Sequence, residues 1–345
     1  MTDLLGSPDG LTPGWLSAAL GADVRSLASR AIGTGQTSST YRLTIDADGC
    51  PPTLVAKFAD GEEEARRRVV TGHRSEVGFY QHLVGTLHVQ APKCFYAAIS
   101  DDGASFTLLL EDLAPREPGR QVDGCTFAQA ASAVRNLARL HASRWNDGAL
   151  LDLAFLNPMT EERAHFLADL TGRATSQFVE RYADRLSPED VTTLRDVADV
   201  LAAWQMNRSG PFSVVHGDYR LDNLMIHPEK QDVVAVDWQT ATVALPARDL
   251  GYFLGTSLPV ERRRAEEEQL LSCYHEELTA GGVEGYTTQR CASDYRRGQL
   301  HGPMITVLGS MTSARSRAAA TDDMFLSMAR RSCAAVRDHR SFETL

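Results

Sequence analysis

The sequence predicts an α+β protein whose first third is rich in β-strands and whose larger remainder is mostly helical. A chain of 345 residues is long enough for two lobes rather than one small core. Short strand-like runs cluster in the first third, and apolar residues at helical spacing prevail after it. We therefore predict two domains, a β-rich lobe at 1–113 and a larger, mostly helical lobe at 114–345.

The first domain is predicted to open with a helix, because Thr12 supplies an N-cap hydroxyl and Pro13 suits the first helical position. Strand-like texture follows from Ala31 onward. The expected strands lie at 41–45, 53–58, 94–99 and 106–110, and a helix is expected through 75–83.

The second domain begins after a proline- and glycine-containing stretch at 114–119. Thr126 and Gln129 have the spacing of a capping box, and a helical pattern follows them. Beyond that helix, only residues 214–237 have a sequence pattern typical of β-strands, so this domain is expected to be helical with one inserted hairpin.

Composition narrows the function classes. The net charge is −10, and the basic run 66–68 lies beside the acidic run 62–64 at the spacing of a solvated helix face, so we expect no nucleic-acid partner. The six cysteines form no Cys-x-x-Cys pair, which favours reduced thiols in a cytosol. Neither a signal peptide nor a membrane span is predicted, and we expect a soluble cytoplasmic protein without a membrane partner.

The strongest signal for chemistry is the segment 214–226 together with 233–238. Two short apolar strands flank a turn-rich connection, and in an antiparallel hairpin this brings Asn223 and Asp237 to one end. Their oxygens suit Mg²⁺. Asp218 lies on the loop just upstream, where it could accept a proton from an attacking hydroxyl, so the segment holds the groups needed for phosphoryl transfer.

The order His216-Gly217-Asp218, four residues, Asn223, and a hairpin ending in Asp237-Trp238 resembles the catalytic core of the aminoglycoside phosphotransferase and choline kinase superfamily. This resemblance implies a bilobal protein-kinase-like fold, with a small antiparallel nucleotide-binding lobe at 1–113 and a larger helical catalytic and acceptor-binding lobe at 114–345. It also implies that Asp218 is the catalytic base, that Asn223 and Asp237 bind Mg²⁺, and that His216 is structural.

The resemblance also assigns a nucleotide-binding lysine. Lys57 ends an apolar strand and resembles the strand lysine that contacts the α- and β-phosphates of ATP. Glu76, early in the next helix, is its expected ion-pair partner. The alternatives at 62–64 lie next to arginines and are expected to face solvent.

Two backbone segments complete the expected nucleotide site. The loop that would cover the phosphates contains Gly35, Gln36, Thr37 and Ser38. Ser38 occupies the place of the third glycine in the protein-kinase pattern, and the chain has no Gly-Lys-Ser/Thr phosphate loop. Residues 108–113 resemble the adenine hinge, in which the Glu111 carbonyl and the Leu113 N–H would meet the base.

Two further matches are expected to be structural. His141 lies on an apolar helix face and is interpreted as a core residue, and Asp249 is interpreted as a brace for the catalytic loop. The helical tail after about residue 255 contains no motif and is a candidate acceptor pocket.

The function predicted from these residues is a Mg²⁺- and ATP-dependent small-molecule kinase, with GTP as an open alternative, acting as a monomer or homodimer. The acceptor would be a hydroxyl of an antibiotic such as an aminoglycoside, or of another alcohol or amino-alcohol. The ecdysteroid-kinase-like branch and the broad bacterial phosphotransferase branch of the superfamily are the most similar. Two alternatives stay open: a catalytically silent nucleotide-binding protein, and a metal-dependent hydrolase whose ligands would come from His216, Asp218, His227 and Asp237.

Overall fold

A computed structural model describes residues 4–34, 38–313 and 319–345. The chain divides into two compact units. The sheet unit comprises Met1–Thr86, Gln90–Pro115 and Val236–Ala241, and the helical unit comprises Leu87–Val89, Arg116–Ala235 and Thr242–Leu345. The functional division proposed at residues 113 and 114 stays a prediction.

The sheet unit contains five antiparallel strands in the order β1-β2-β3-β5-β4. The strands are β1 (Val24–Thr34), β2 (Ser38–Ala47), β3 (Thr53–Ala59), β4 (Cys94–Ile99) and β5 (Phe106–Glu111). Its helices are α1 (Pro13–Leu20), α2 (Glu63–Arg68) and α3 (Val70–Gly78).

The alternation of β3 sorts its side chains between the two faces of the sheet. Leu54, Ala56 and Phe58 join Leu16 of α1 in one fully buried core. Lys57, between Ala56 and Phe58, therefore points to the opposite face, where α3 lies.

Two boundaries of the sheet unit differ from the sequence prediction. β1 begins at Val24 rather than near Ala31, because its first half is polar and carries little strand signal. The helix expected through 75–83 begins earlier, at Val70, and its α-helical part ends at Gly78, after which Phe79–Leu83 forms a π-helical turn. The predicted cap is confirmed: the Thr12 hydroxyl accepts the Trp15 backbone N–H at 3.1 Å.

The helical unit confirms the predicted predominance of helix. Its helices are α4 (Phe127–Ser143), α5 (Glu161–Arg181), α6 (Pro188–Met206), α7 (Ala247–Ser257), α8 (Val260–Ala280), α9 (Thr288–Gly298), α10 (His301–Thr312) and α11 (Ala319–Asp338). Its strands are β6 (Glu117–Pro118), β7 (Ser213–Val215), β8 (Leu224–Ile226), β9 (Val233–Ala235) and β10 (Thr242–Ala244).

Local sequence signals account for the start of α4 and for the hairpin. Thr126 and Gln129 form both reciprocal bonds of the predicted capping box. β8 and β9 pair antiparallel with Leu224 opposite Ala235, as predicted. The prediction of one inserted hairpin was incomplete, because β10 pairs with β7. At three residues, β10 is too short to show a period.

None of the helices in the described part of the chain combines the length and the apolar character that crossing a membrane would require.

Candidate active site

A buried ion pair in the sheet unit joins β3 to α3. Lys57 Nζ lies 2.7 Å and 2.8 Å from the two carboxylate oxygens of Glu76, and 3.3 Å from Asp237 Oδ1. Burial alone would lower the pKa of Lys57, but attraction by Asp237 and Glu76 outweighs it, so the pKa is raised and the lysine stays charged.

Two of the three alternative partners of Lys57 form ion pairs elsewhere. Glu63 and Glu64 form exposed ion pairs with Arg67 and Arg68, one helical turn further on. The ion pair expected from the sequence, Lys57 with Glu76, is thus the one that forms.

Asp237 occupies an unusual backbone conformation. Its φ of 66° lies in the left-handed region, which aspartate tolerates better than most residues but at some cost in strain. The next residue, Trp238, is fully buried and stacks on Phe79 with ring centroids 3.8 Å apart and planes 6° from parallel. Packing of Trp238 therefore holds the backbone that presents Asp237.

In the helical unit, the loop after β7 carries Asp218, whose carboxylate is fixed from three sides. Tyr252 Oη donates to Oδ1 at 2.7 Å, and Asn223 Nδ2 donates to Oδ2 at 3.0 Å. Arg220 Nε lies 3.4 Å from Oδ1. The Asp218 side chain nevertheless remains 25% exposed, so it is oriented and still accessible.

Asp249 fixes the backbone of the same loop through hydrogen bonds, as predicted. Its carboxylate is fully buried and accepts the backbone N–H groups of His216 at 2.6 Å and Gly217 at 2.9 Å. Burial acts to raise the pKa of Asp249, but the interactions with His141, His216 and His301 together outweigh it, and the pKa is lowered. Asp249 is therefore an ionised acceptor inside the core.

Three histidines surround this brace. His141 is fully buried and lies 2.7 Å from Tyr274 Oη and 3.5 Å from Asp249, which agrees with its interpretation as a core residue. His216 is also fully buried, and its Nδ1 accepts the Asp218 backbone N–H at 3.3 Å. His301 Nε2 lies 2.9 Å from the Gly217 carbonyl oxygen.

Sequence reasoning missed Tyr252, Arg220 and His301 as partners of this loop. Tyr252 could have been found, because it follows Asp249 by three residues on one helix and must share its face. Arg220 lies inside the motif, but an arginine there has many alternative partners. His301 comes from α10, and no local pattern links that helix to the loop.

The proposed metal ligands lie in different units, Asn223 in the helical unit and Asp237 in the sheet unit. The Asn223 amide nitrogen donates to both the backbone and the carboxylate oxygens of Asp218, which leaves its Oδ1 as an acceptor. The oxygen donors of both residues suit Mg²⁺. Within the described ranges, no group of three or more His, Cys, Asp or Glu side chains could hold a metal ion.

The remaining predicted nucleotide contacts fall in the sheet unit. Gly35, Gln36 and Thr37 lie outside the described residues. Ser38 begins β2 and is buried. Glu111 ends β5 with its side chain accepting the Lys93 backbone N–H, and Leu113 is half-buried just beyond it.

The chain is similar to known proteins over most of its length. A family model described as "Phosphotransferase enzyme family" matches residues 29–289. A choline kinase from Cryptosporidium parvum Iowa II has a TM-score of 0.56 at 10% identity, covering 96% of this chain and 92% of that one. The GDP complex of aminoglycoside 2'-phosphotransferase-IIIa has a TM-score of 0.51 at 15% identity, covering 90% and 93%. These likenesses confirm the predicted fold.

Curated relatives match over short stretches. Mouse (Mus musculus) acyl-CoA dehydrogenase family member 10 is 48% identical over 56 residues, which is 14% of this chain and 5% of that protein. The matched stretches amount to 5–11% of the length of such relatives. The family model covers far more than half of the sequence, and its family is the one that the catalytic motif resembles. The chain belongs to the phosphotransferase enzyme family.

Proposed function

We propose that this phosphotransferase moves the γ-phosphate of ATP to a hydroxyl group of a small acceptor in the presence of Mg²⁺. The observation that carries this proposal is the Asp218 carboxylate, oriented by Tyr252 and Asn223 yet partly exposed. GTP is the alternative donor, since the similar aminoglycoside 2'-phosphotransferase-IIIa is a GDP complex.

In the proposed reaction, Asp218 orients the acceptor hydroxyl and takes its proton while the hydroxyl oxygen forms a bond to the γ-phosphorus. The bond between that phosphorus and the β–γ bridging oxygen breaks, and its electron pair leaves with ADP. Lys57 is held charged by Glu76, as a lysine that meets phosphate oxygens must be. Asp249 keeps the loop in place through two backbone N–H bonds.

Asn223 and Asp237 are the proposed Mg²⁺ ligands, on the basis of their positions in the motif and the chemistry of their oxygens. Mg²⁺ bound there would neutralise charge on the phosphates. The further expectation is a cytoplasmic monomer or homodimer that binds neither nucleic acid nor membrane.

The acceptor class is proposed from the family. We expect a hydroxyl of an antibiotic such as an aminoglycoside, or of an alcohol or amino-alcohol. ADP release measured against a panel of such compounds would identify it. A protein that releases no ADP with any of them, yet binds Mg·ATP, would favour the catalytically silent alternative.

Replacing Asp218 with Asn tests the mechanism. The amide keeps the shape of the side chain but cannot accept the proton, so turnover should fall by roughly 10²- to 10⁴-fold. Mg·ATP binding should persist, because neither the metal nor the phosphates are assigned to Asp218. Asp184→Asn, on an exposed turn, makes the same chemical change and should keep full activity.

Titration calorimetry with Mg·ATP and a phosphate-transfer assay separate the alternatives. If Asp218→Asn folds but loses metal binding, Asp218 is a ligand and the hydrolase alternative gains. If it retains wild-type turnover, Asp218 is not the base.

A further inference from the structure

A cavity of about 460 Å³ lies in the helical unit beside the first residues of β7. We call it the arginine cavity, because Arg208, Arg248 and Arg297 line it. Among the described residues that line it, none is an aspartate or a glutamate. Most other lining residues are apolar, including Leu151, Met159, Phe212, Val243 and Leu245. Asp218 and Asn223 are not part of the lining, so the cavity is distinct from the proposed catalytic loop.

Arg248 is a buried cation without a carboxylate partner. It is 8% exposed, and within residues 4–34, 38–313 and 319–345 no carboxylate lies within 4 Å of its guanidinium. One Nη donates to Gln205 Oε1 at 2.5 Å, the guanidinium carbon lies 4.0 Å from the Trp204 ring centroid, and Nε is buried without an acceptor. Neutral partners satisfy some of its N–H groups, and the charge of Asp249 acts to raise its pKa but does not outweigh burial, so the buried charge is only partly compensated.

The two neighbouring arginines add further positive charge to the cavity. Arg297 is 4% exposed and lies 3.3 Å from Asp294, a carboxylate that also pairs with Arg290. Arg208 donates to the Met159 carbonyl oxygen. Burial, together with the charges of Arg297 and Arg208, lowers the pKa of Arg248 to about 9. In a protein of net charge −10, this cavity is a local excess of positive charge.

We propose that the arginine cavity binds a small organic anion with a compact apolar body, whose carboxylate or phosphate head pairs with Arg248. A guanidinium matches both head groups through two parallel N–H···O bonds. The volume is in the range of small-molecule sites, and the apolar lining would bury the body of the ligand. The anion would complete the charge compensation of Arg248 and would supply the acceptor that its Nε lacks.

Titration calorimetry on the full chain, with no nucleotide present, tests this site independently of the proposed kinase activity. Four probes separate the contribution of the anionic head group from that of the apolar body: benzoate, phenyl phosphate, benzyl alcohol and inorganic phosphate. We expect benzoate or phenyl phosphate to bind at least about tenfold more tightly than the other two, as one good charge-assisted pair warrants. The better of the two identifies the head group. Equal binding of benzyl alcohol, or of inorganic phosphate, would overturn the proposal.

Matched variants locate the binding. Arg248→Met keeps most of the side-chain length and should weaken binding at least about tenfold. Arg195→Met, on the exposed face of α6, makes the same charge change and should bind like wild type. Met159→Trp fills the cavity without removing any arginine, so it should also lose binding. It tests whether the anion binds in the cavity even if Arg248→Met does not fold. Wild-type affinity in either cavity variant, or an equal loss in Arg195→Met, would contradict the assignment.

Discussion

At the scale of single residues, Tyr252 controls the carboxylate that is proposed to act as the base. Its ring is fully buried, burial raises its pKa well above the ordinary value, and it therefore remains a hydrogen-bond donor to Asp218. A donor to a carboxylate stabilises the ionised form and fixes the position of the other oxygen.

Tyr252→Phe should lower kcat about tenfold with little change in Mg·ATP binding, because the Asp218 carboxylate loses the hydrogen bond that orients it. Tyr295→Phe is the matched control, since Tyr295 Oη also donates to a carboxylate, that of Glu267, away from Asp218. The control should leave kcat unchanged. A Tyr252→Phe protein whose kcat equals that of wild type would remove Tyr252 from the mechanism.

His301 makes the protein sensitive to acid. Burial, followed by the charge of Arg248, lowers the pKa of His301 from 6.5 to about 4. The unfolded chain therefore binds a proton between pH 6.5 and pH 4 that the folded chain does not, so stability is lost as the pH falls through that window.

His301→Gln should reduce this loss by about 3 kcal/mol, because glutamine retains an N–H donor for the Gly217 carbonyl and does not titrate. The free energy of unfolding, measured by urea denaturation at pH 7 and pH 4 in both proteins, gives the comparison. Equal losses in the two proteins would show that His301 is protonated in the folded state.

At the scale of elements, α7 and α9 cross where two glycines meet. A Cβ on Gly298 would lie 2.0 Å from the Ala247 carbonyl oxygen, and a Cβ on Gly251 would lie 2.7 Å from the Gly298 carbonyl carbon. The close approach matters because α7 carries Asp249 and Tyr252, which hold the loop of Asp218.

Gly298→Ala should destabilise the protein by about 1–3 kcal/mol, since a backbone must move to admit one methyl group. Gly172→Ala is its control: the site within α5 is open, and alanine there should stabilise by roughly 0.5–1 kcal/mol. Thermal denaturation measures both. A Gly298→Ala protein as stable as wild type would mean that the helices separate at little cost.

The elements that could be predicted are those with strong local chemistry. The caps at Thr12 and Thr126 and the hairpin of β8 and β9 each depend on neighbouring residues, and all three form as expected. β10 and the π-helical turn after Gly78 depend on pairing and packing with distant segments. The contact of His301 with the Gly217 carbonyl oxygen could not be predicted for the same reason, because it joins residues far apart in sequence.

At the scale of the whole molecule, a ligand that binds only the folded chain stabilises all of it. Saturating Mg·ATP at about 100 times its Kd should contribute roughly 2.7 kcal/mol and raise Tm. Lys57→Ala should abolish most of that rise, because the phosphates lose their proposed cation. The rise in Tm on adding Mg·ATP is compared, rather than the Tm itself, because the variant also leaves Glu76 buried without its partner.

Lys230→Ala is the control for that experiment. Lys230 lies on the exposed turn between β8 and β9, so its removal should leave the shift unchanged. A Lys57→Ala protein that keeps the full shift with Mg·ATP would exclude Lys57 from nucleotide binding.

The family could be predicted for the whole molecule, but its acceptor could not. The motif residues lie at the spacing of the family, and the family model matches residues 29–289. The arginine cavity shows the limit of such reasoning: its three arginines come from separate parts of the chain, and none stands in a pattern that marks a site. A cavity lined by dispersed segments leaves no local signature in the sequence.

The stacking of Trp238 on Phe79 has an optical consequence. Indole emission responds to the polarity and the charges around the ring, and Trp238 is buried immediately after Asp237. Any ligand that draws the Asp237 carboxylate away from Lys57 changes the electric field at that indole. Trp238 is therefore an intrinsic fluorophore whose emission would report occupancy of the proposed nucleotide site without any added label.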